Sequence, residues 1–256
     1  MKFVDTHTHL YVEQFDEDRK ETVEKAINLG VEKFYLPAID RHYYTSMLAL
    51  EKDFPQHIEL MIGLHPTHVN DSYEQELDFI KERLEERPFI AIGEIGIDLY
   101  WEQDKLELQK KAFQEQIQLA KQYDLPIAIH CRDAFDEVFE ILELEKGPKL
   151  KGVFHCFTGS LEQAQKALSY NLHLGIGGVV TFKNGKIDKF INQIPLEKIL
   201  LETDSPYLAP TPFRGKRNES SYLTLVAEKL AKCYDLPLEK IAEQTTQNAL
   251  TLFEKS

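Results

Sequence analysis

Short apolar runs recur at regular intervals along the chain and are separated by longer, more polar stretches. Several of these runs are near-continuous apolar stretches rather than alternating ones, as expected for parallel strands that are covered on both faces. We therefore predict eight buried strands, which include residues 3–4, 34–36, 60–62, 89–92, 127–129, 153–154, 172–176 and 199–201.

The stretches between the predicted strands carry apolar residues every three to four positions, the spacing of an amphipathic helix. Gly30 is placed to end the first helix, and Ser160 with Gln163 has the sequence of a capping box. Strands that alternate with helices eight times predict a (β/α)8 TIM barrel of the α/β class, with an open doubly wound sheet as the alternative. Two further helical patterns, at residues 223–231 and 241–252, are expected to cover the outside of the barrel.

The length of 256 residues fits one such barrel, for which about 250 residues are typical. No Gly/Ser-rich or Pro-rich linker interrupts the sequence, so we predict a single domain over residues 1–256. No apolar run is long enough to cross a bilayer, no signal-peptide core follows the N-terminus, and the three cysteines lack C-x-x-C spacing. We expect a cytoplasmic protein with no membrane contact and no obligate protein partner.

The formal net charge of −13 restricts the partners of the protein. Proteins that bind long nucleic acids usually carry a basic surface, whereas this chain as a whole repels polyanions. A nucleic-acid activity must therefore depend on local positive charge. Basic residues after the fifth, seventh and eighth predicted strands are candidates for a phosphate clamp, because Arg presents a fork of donors that matches phosphate oxygens, although a solvated loop is the alternative. They are Arg132, Lys183, Arg214, Lys216 and Arg217.

Histidines and acids follow five of the eight predicted strands. The carboxyl ends of all strands in a β/α barrel meet at one face, so we expect these side chains to share a pocket there. Side chains two positions apart on a strand point to the same side, which pairs His7 with His9 and Glu202 with Asp204. The candidate metal ligands are His7, His9, Glu94, His130, His155 and Asp204.

One histidine at a strand end is more often a structural residue, but six such side chains together favour a metal centre. Four imidazoles and two carboxylates exceed the needs of one tetrahedral ion, whereas two ions that share a bridging carboxylate would use them all. Glu94 lies between the histidine pairs in strand order and is the predicted bridge. The imidazoles favour zinc, manganese or iron-like ions over magnesium.

His65 follows the third predicted strand, faces the same pocket and is interpreted as a substrate contact. Cys131 and Cys156 adjoin candidate ligands and should point away from the pocket by alternation, so packing explains them better than catalysis. The chain lacks a dinucleotide fingerprint, a P-loop, a G-x-S-x-G elbow and an H-E-x-x-H helix, which argues against nucleotide cofactors and serine catalysis. The histidines expected at the surface or on helices are His42, His57, His68 and His173.

Seven motifs of the chain resemble the TatD family of metal-dependent deoxyribonucleases, within the amidohydrolase-like barrels. They occur in family order at residues 5–9 (DTHTH), 63–66 (GLHP), 93–98 (GEIGID), 130–133 (HCRD), 155–160 (HCFTGS), 202–210 (ETDSPYLAP) and 214–219 (RGKRNE). The resemblance implies metal ligands at the same six positions and magnesium-dependent activity. Two positions depart from the family pattern, with Leu99 in place of a tyrosine and Ser220 in place of a proline.

The expected activity is hydrolysis of phosphodiester bonds in DNA, at ends or in single strands, as in a 3′–5′ exonuclease with two divalent ions (magnesium, manganese or zinc). The predicted catalytic residues are Glu94, Asp204, which would also accept a proton from water, and His65, which would contact phosphate. Asp5 and Glu202 are expected to support the ligands. Two alternatives are an amidohydrolase that acts on a small amide, ester or lactone, and a barrel that binds metal or a partner without catalysis.

Overall fold

The computed structural model describes residues 1–254, which contain eight parallel strands arranged in sequence order. The two ends of the sheet are joined, because Thr6 N–H donates to Leu201 O (3.1 Å). The sheet therefore closes into a barrel, which confirms the predicted (β/α)8 TIM fold and excludes the open doubly wound sheet. The strands are β1 (Phe3–Asp5), β2 (Val31–Leu36), β3 (Ile58–Ile62), β4 (Ala91–Asp98), β5 (Ile127–Arg132), β6 (Gly152–Phe154), β7 (Leu172–Ile176) and β8 (Ile199–Leu201).

Helices connect the strands on the outside of the barrel, with one exception. The connection from β7 to β8 contains short 3-10 turns instead of the predicted helix, because Gly177, Gly178, Gly185 and Pro195 disfavour a continuous helix there. Within residues 1–254 no helix combines the length and apolar character needed to cross a bilayer. The helices are α1 (Arg19–Asn28), α2 (Tyr44–Asp53), α3 (Tyr73–Glu86), α4 (Leu106–Tyr123), α5 (Phe135–Leu144), α6 (Leu161–Ser169), α7 (Leu223–Tyr234) and α8 (Leu238–Phe253).

Helix α8 lies across the amino end of the barrel, not on its outside as predicted. Asn248 Nδ2 donates to the carbonyl oxygens of Leu196 and Ile199, where β8 begins (2.8 Å each). Ala249 and Phe253 pack into the barrel interior, so the apolar face of α8 closes this end and leaves the carboxyl end open. The strand residues that they join in one cluster are Val4, Tyr35, Met61, Ala91, Ala128, Val153 and Leu200.

Two local sequence signals are confirmed. Gly30 follows α1 with a φ of +96°, and a Cβ at this position would lie 2.5 Å from Met1 O. Ser160 begins α6 with a complete capping box: its hydroxyl accepts from Gln163 N–H, and Gln163 Oε1 accepts from Ser160 N–H (2.8 Å). Both signals depend on neighbouring residues alone, so the sequence is sufficient to reveal them.

His173 lies on β7 and is partly buried, whereas the sequence predicted a surface or helical position. Burial and, to a smaller extent, the charge of Lys198 lower the pKa of His173 from 6.5 to about 4. Within residues 1–254 its buried Nδ1 has no hydrogen-bond partner. The side chain is therefore neutral in the folded protein at neutral pH.

We expect His173→Gln to make the protein less sensitive to acid. Because the pKa of His173 is lower in the folded than in the unfolded state, the unfolded chain binds the proton more tightly, and stability falls as the pH drops from 6.5 towards 4. Between pH 7.5 and pH 5 the wild type should lose about 1–2 kcal/mol more than the variant. Urea unfolding of the metal-free proteins measures this, with the exposed His42→Gln as control. Parallel pH profiles for the wild type and His173→Gln would contradict the prediction.

Candidate metal centre

The six candidate ligands all lie at the carboxyl end of the barrel. Four of them follow the ends of their strands, as predicted. Glu94 and His130 differ, because they lie inside β4 and β5 rather than at the strand ends. These two strands remain paired as far as Asp98 and Arg132, and the pairing is irregular around Glu94. The longer β4–β5 pair therefore carries two candidate ligands: His130 in a regularly paired stretch, and Glu94 at the irregularity.

Glu94 occupies the centre of the group and is 2% exposed. Its Oε2 lies 3.0 Å from His7 Nε2 and 3.5 Å from His9 Nε2. Its Oε1 lies 2.8 Å from His130 Nδ1 and 3.6 Å from His155 Nε2. The two oxygens thus face different pairs of histidines, which is the arrangement expected of a bridging carboxylate.

Asp204 and His65 complete the group. Asp204 Oδ1 lies 3.6 Å from His9 Nε2 and 4.0 Å from His155 Nε2. His65 Nε2 lies 3.4 Å from Glu94 Oε1, so this residue, predicted to contact substrate, is as close to the centre as the candidate ligands. Of the four sets of side chains in residues 1–254 whose ligand atoms lie within 4.8 Å of one another, three consist of these residues: His7, His9 and Glu94; His7, His155 and Asp204; and His65, Glu94 and His130.

The chemistry of these donors fits a divalent cation. The rings of His7 and His155 are stacked with centroids 3.4 Å apart, which brings basic nitrogens together in a buried space. His7 Nδ1 is buried, and within the described part of the chain it has no hydrogen-bond partner. Imidazole nitrogens and carboxylate oxygens are both common ligands of zinc, manganese and related ions.

Residues outside the centre fix the orientation of the imidazoles by contacting the ring nitrogens that face away from it. The hydroxyl of Tyr11 donates to Pro37 O (2.6 Å) and lies 2.8 Å from His9 Nδ1. Since the hydroxyl hydrogen is used for Pro37, His9 Nδ1–H is the donor to Tyr11, and His9 Nε2 is left as a ligand atom. His130 is held in the same way, because its Nε2 lies 2.9 Å from Asp98 Oδ2 while its Nδ1 faces the centre.

Tyr11 and Asp98 are not among the site residues that were predicted from the sequence. A signal for them was present, since Tyr11 continues the alternation of His7 and His9, and Asp98 lies four positions after Glu94 on the same strand face. Outer partners of metal-binding histidines are commonly carboxylates or other oxygen acceptors. Continuing the two-residue spacing past His9 and past Glu94 would therefore have identified these two residues.

Asp5 and Glu202 lie where supports for the ligands were predicted. Glu202 Oε1 lies 3.1 Å from His155 Nδ1. Asp5 accepts from Thr203 N–H (2.9 Å) and from the Thr203 hydroxyl (2.6 Å), which holds the segment after β8. Gly175 leaves space for this arrangement, because a Cβ there would lie 2.2 Å from Glu202 Oε2.

We expect Asp98→Asn to weaken metal binding by about 10- to 100-fold. Asp98 accepts from the N–H groups of Tyr100 (2.9 Å) and Trp101 (2.8 Å) at one oxygen and contacts His130 at the other. An amide has only one acceptor oxygen, so it cannot serve both sides. Calorimetric titration with Mn²⁺ measures the change, with Asp104→Asn as an exposed control in the same loop. Equal affinity in Asp98→Asn and the wild type would show that His130 needs no carboxylate partner.

Burial shifts the protonation of the candidate ligands. It raises the pKa of Asp204 to about 6, although His155 opposes this. It lowers the pKa of His65 to about 4 against the attraction of Glu94. For His155 burial is outweighed by the carboxylates of Glu202, Glu94 and Asp204, which raise its pKa to about 10. Metal binding must therefore displace protons, and affinity should fall in acid.

A cleft of about 510 Å³ opens above the candidate ligands. Its rim includes the exposed aromatic residues Trp101 and Tyr207 and the exposed Leu208. His68 also borders the cleft, in a surface turn where its Nδ1 lies 2.7 Å from Asp40 Oδ2. The position of His68 is at the surface, as predicted, but on the same face as the ligands.

The predicted phosphate clamp is only partly assembled. Arg132 lines the cleft. Arg217, in contrast, donates to both carboxylate oxygens of Asp18 (2.7 and 2.5 Å), and the exposed Arg214 lies over the ring of Phe182 (4.5 Å). Contrary to expectation, neither is among the described residues that line the cleft, and the donors of Arg217 are already used by Asp18.

The two cysteines beside the ligands differ from each other. Cys131 packs against the hydrophobic core, as predicted. Cys156 follows β6 with a φ of +44°, so the alternation of a strand does not apply to it. Its sulfur lies within 4.8 Å of ligand atoms of His155 and Glu202, which corrects the prediction that it points away from the site.

Neither of the two departures from the family pattern is among the described residues that line the cleft. Leu99 packs against the hydrophobic core. Ser220 is fully buried, and its hydroxyl lies 3.3 Å from that of Thr8.

Comparison with known proteins assigns the chain to a family. The model of TatD-related DNases matches residues 4–254. YabD of Bacillus subtilis, named an uncharacterized metal-dependent hydrolase, is 43% identical over 250 residues, which cover 97% of this chain and 98% of that protein. The crystal structure of YjjV, a TatD homologue from Escherichia coli, matches with a TM-score of 0.93 and 32% identity, and the match covers 99% of this chain and 98% of YjjV. A lactonase from Listeria monocytogenes shares the fold alone, with a TM-score of 0.65 and 14% identity over 100% of this chain and 95% of the lactonase. The chain therefore belongs to the family of TatD-related DNases.

Proposed function

We propose that the protein is a metal-dependent hydrolase that cleaves phosphodiester bonds in DNA with the help of two divalent ions. The observation that carries the proposal is the position of Glu94, whose two carboxylate oxygens face different pairs of histidines. Membership of the family and the naming of YabD as a metal-dependent hydrolase support a hydrolase. Pairs of ions that share ligands are typical of enzymes that displace phosphate esters.

Each ion would use one side of Glu94. When bound, such ions polarise the phosphoryl group and lower the pKa of water. The imidazole-rich donor set fits manganese or zinc better than magnesium, which prefers oxygen ligands and retains several waters. The proposed ligand sets are His7, His9, Asp204 and Glu94 for one ion, and His130, His155 and Glu94 for the other.

Asp204 is the proposed proton acceptor. It is buried, borders the cleft and lies opposite His9 and His155. Burial raises the pKa of Asp204 to about 6 in the metal-free protein, and a cation bound beside it would favour the ionised carboxylate that accepts the proton of the attacking water.

His65 and Arg132 are the proposed contacts of the phosphate oxygens. Burial lowers the pKa of His65 to about 4, so its ring is neutral at pH 7. Its Nδ1 accepts from Thr67 N–H (3.1 Å), which places the ring hydrogen on Nε2, the nitrogen nearer the centre. Nε2–H can therefore donate to an anionic oxygen. Arg132 is the one Arg or Lys among the described residues that line the cleft, and it supplies positive charge at the rim.

A matrix of metals and substrates tests the proposal. Chelator-treated protein is supplied with Mg²⁺, Mn²⁺ or Zn²⁺ and given a 5′-labelled single-stranded oligodeoxynucleotide, its blunt duplex, or a circular single strand. We expect stepwise shortening of the linear single strand from its 3′ end, dependent on added metal, and no cutting of the circle. Intact DNA with all three ions would contradict the proposed function.

One observation favours the alternative of a hydrolase for small amides, esters or lactones. Arg132 is the only Arg or Lys among the described residues that line the cleft, and the rim carries apolar side chains such as Ile39 and Leu208. A small uncharged substrate would need no further positive charge. Turnover of a lactone or amide panel without any cleavage of DNA would rank this alternative first.

A further inference from the structure

Two large aromatic side chains are exposed in the loop that follows β4. Tyr100 is 51% exposed and Trp101 is 65% exposed, although rings of this size are usually buried for the most part. Their rings meet edge to face with centroids 4.7 Å apart. Asp98 accepts from both backbone N–H groups, so the turn that presents them is held in one conformation.

A cation completes this group. Arg132, the last residue of β5, places its guanidinium carbon 3.9 Å from the ring centroid of Tyr100 and 5.5 Å from that of Trp101. Arg132 and Trp101 both line the cleft that contains the candidate ligands. We call Tyr100, Trp101 and Arg132 the aromatic platform.

The aromatic platform is tied to the candidate metal centre through one side chain. One oxygen of Asp98 holds the turn that carries Trp101, and the other lies 2.9 Å from His130 Nε2. The distance between the platform and the proposed reaction centre is thus fixed by a buried carboxylate. A ligand that spans both must carry a flat ring close to an anionic group.

We propose that the aromatic platform stacks an unpaired nucleobase of the substrate strand, and that it makes the enzyme select single-stranded over duplex nucleic acid ends. The proposal rests on the phosphodiesterase function above. An aromatic face accepts any base, and the neighbouring guanidinium can contact the adjacent phosphate, so binding needs no base sequence. At a duplex end the terminal base is paired and stacked on its neighbour, so it must leave its pair before it can lie on the rings, whereas an unpaired base needs no such step.

The chain supplies its own probe, because Trp101 is its only tryptophan. Its fluorescence reports on the platform alone, without any turnover. The metal-loaded wild-type protein is titrated with an oligothymidylate whose linkages are phosphorothioates that resist cleavage, and with an abasic oligomer of the same length and charge. We expect the oligothymidylate to quench the fluorescence and to bind about 5- to 150-fold more tightly than the abasic oligomer.

Variants connect the platform to catalysis. On a single-stranded oligodeoxynucleotide, Trp101→Ala should raise KM by about 5- to 150-fold with a smaller effect on kcat, and Trp101→Phe should restore most of the loss because it keeps an aromatic face. Leu144→Ala removes an apolar side chain that is 66% exposed on α5 and serves as the matched control, with unchanged KM. The preference for single strands over duplex should shrink in Trp101→Ala alone.

The outcomes separate the two proposals. Quenching by the oligothymidylate without any cleavage of natural DNA would support the platform and contradict the proposed function. DNA cleavage with the same KM in Trp101→Ala and the wild type would overturn the platform and leave the function standing. Equal quenching and equal affinity for the abasic oligomer would also overturn it, since the backbone alone would then account for binding.

Discussion

Replacing Glu94 with glutamine will lower metal-dependent activity by at least about a thousandfold, while the barrel stays folded. Glutamine keeps the size and shape of glutamate but removes the charge that both ions would share. Although burial opposes ionisation, the imidazoles of His65, His7 and His155 hold the pKa of Glu94 well below its usual range, so the wild-type side chain is a carboxylate at neutral pH. The loss therefore affects both ion sites at once.

Three measurements check this result. Metal content after dialysis should fall in Glu94→Gln, kcat/KM on a single-stranded oligodeoxynucleotide should fall with it, and the far-ultraviolet circular dichroism spectrum should match that of the wild type. Glu107→Gln, an exposed change of the same chemistry on α4, should behave as wild type in all three. A Glu94→Gln protein that retains both ions and full activity would mean that Glu94 does not bridge them.

Replacing Phe154 with alanine will have the largest effect on stability, about 3–5 kcal/mol in the free energy of unfolding. Phe154 lies on β6 and is fully buried. Its ring is the centre of an aromatic cluster, with centroids 5.8 Å from Phe139, 6.0 Å from Phe135 and 6.3 Å from Phe157. Alanine leaves a cavity among rings that belong to a helix and a loop packed against the strand. These rings cannot move in to fill the cavity without displacing the barrel wall.

Urea unfolding of the metal-free protein measures how much the free energy of unfolding falls when Phe154 is replaced. The transition midpoint should fall sharply in Phe154→Ala, whereas Phe154→Leu, which fills most of the space, should lose less than half as much. The exposed Leu144→Ala should be close to neutral. A loss under about 1 kcal/mol in Phe154→Ala would indicate that the cluster can close around the missing ring.

The fold was predictable because its signals are repeated and local. Eight short apolar runs identified the strands, and Gly30 and Ser160 marked helix boundaries. The position of α8 was not predictable in the same way. Its apolar face would fit the outside of the barrel equally well, and only the three-dimensional shape of the barrel interior selects the amino end for Phe253. The spacing of apolar residues indicates that one face of a helix is buried, but it does not indicate which part of the protein covers that face.

The candidate site was predictable for a related reason. The six predicted ligands converge because every strand of a closed parallel barrel ends at the same face. What the sequence did not predict are pairings between distant side chains. Arg217 forms hydrogen bonds with the carboxylate of Asp18, which is distant in sequence, and the guanidinium of Arg132 lies over the ring of Tyr100. A count of charged residues near a site cannot reveal which of them are already engaged.

Because β1 is joined to the segment after β8, the candidate ion site can form only late in the synthesis of the chain. His7 and Asp204 lie near opposite ends of the chain, and Asp204 N–H donates to His7 O (2.9 Å) only once the barrel is closed. A nascent chain on the ribosome therefore has no complete ion site until its last strand has emerged. An ion that binds only the closed form stabilises it by about 1.4 kcal/mol for each tenfold excess over its dissociation constant. Metal supply should thus govern the lifetime of the protein in the cell as well as its activity.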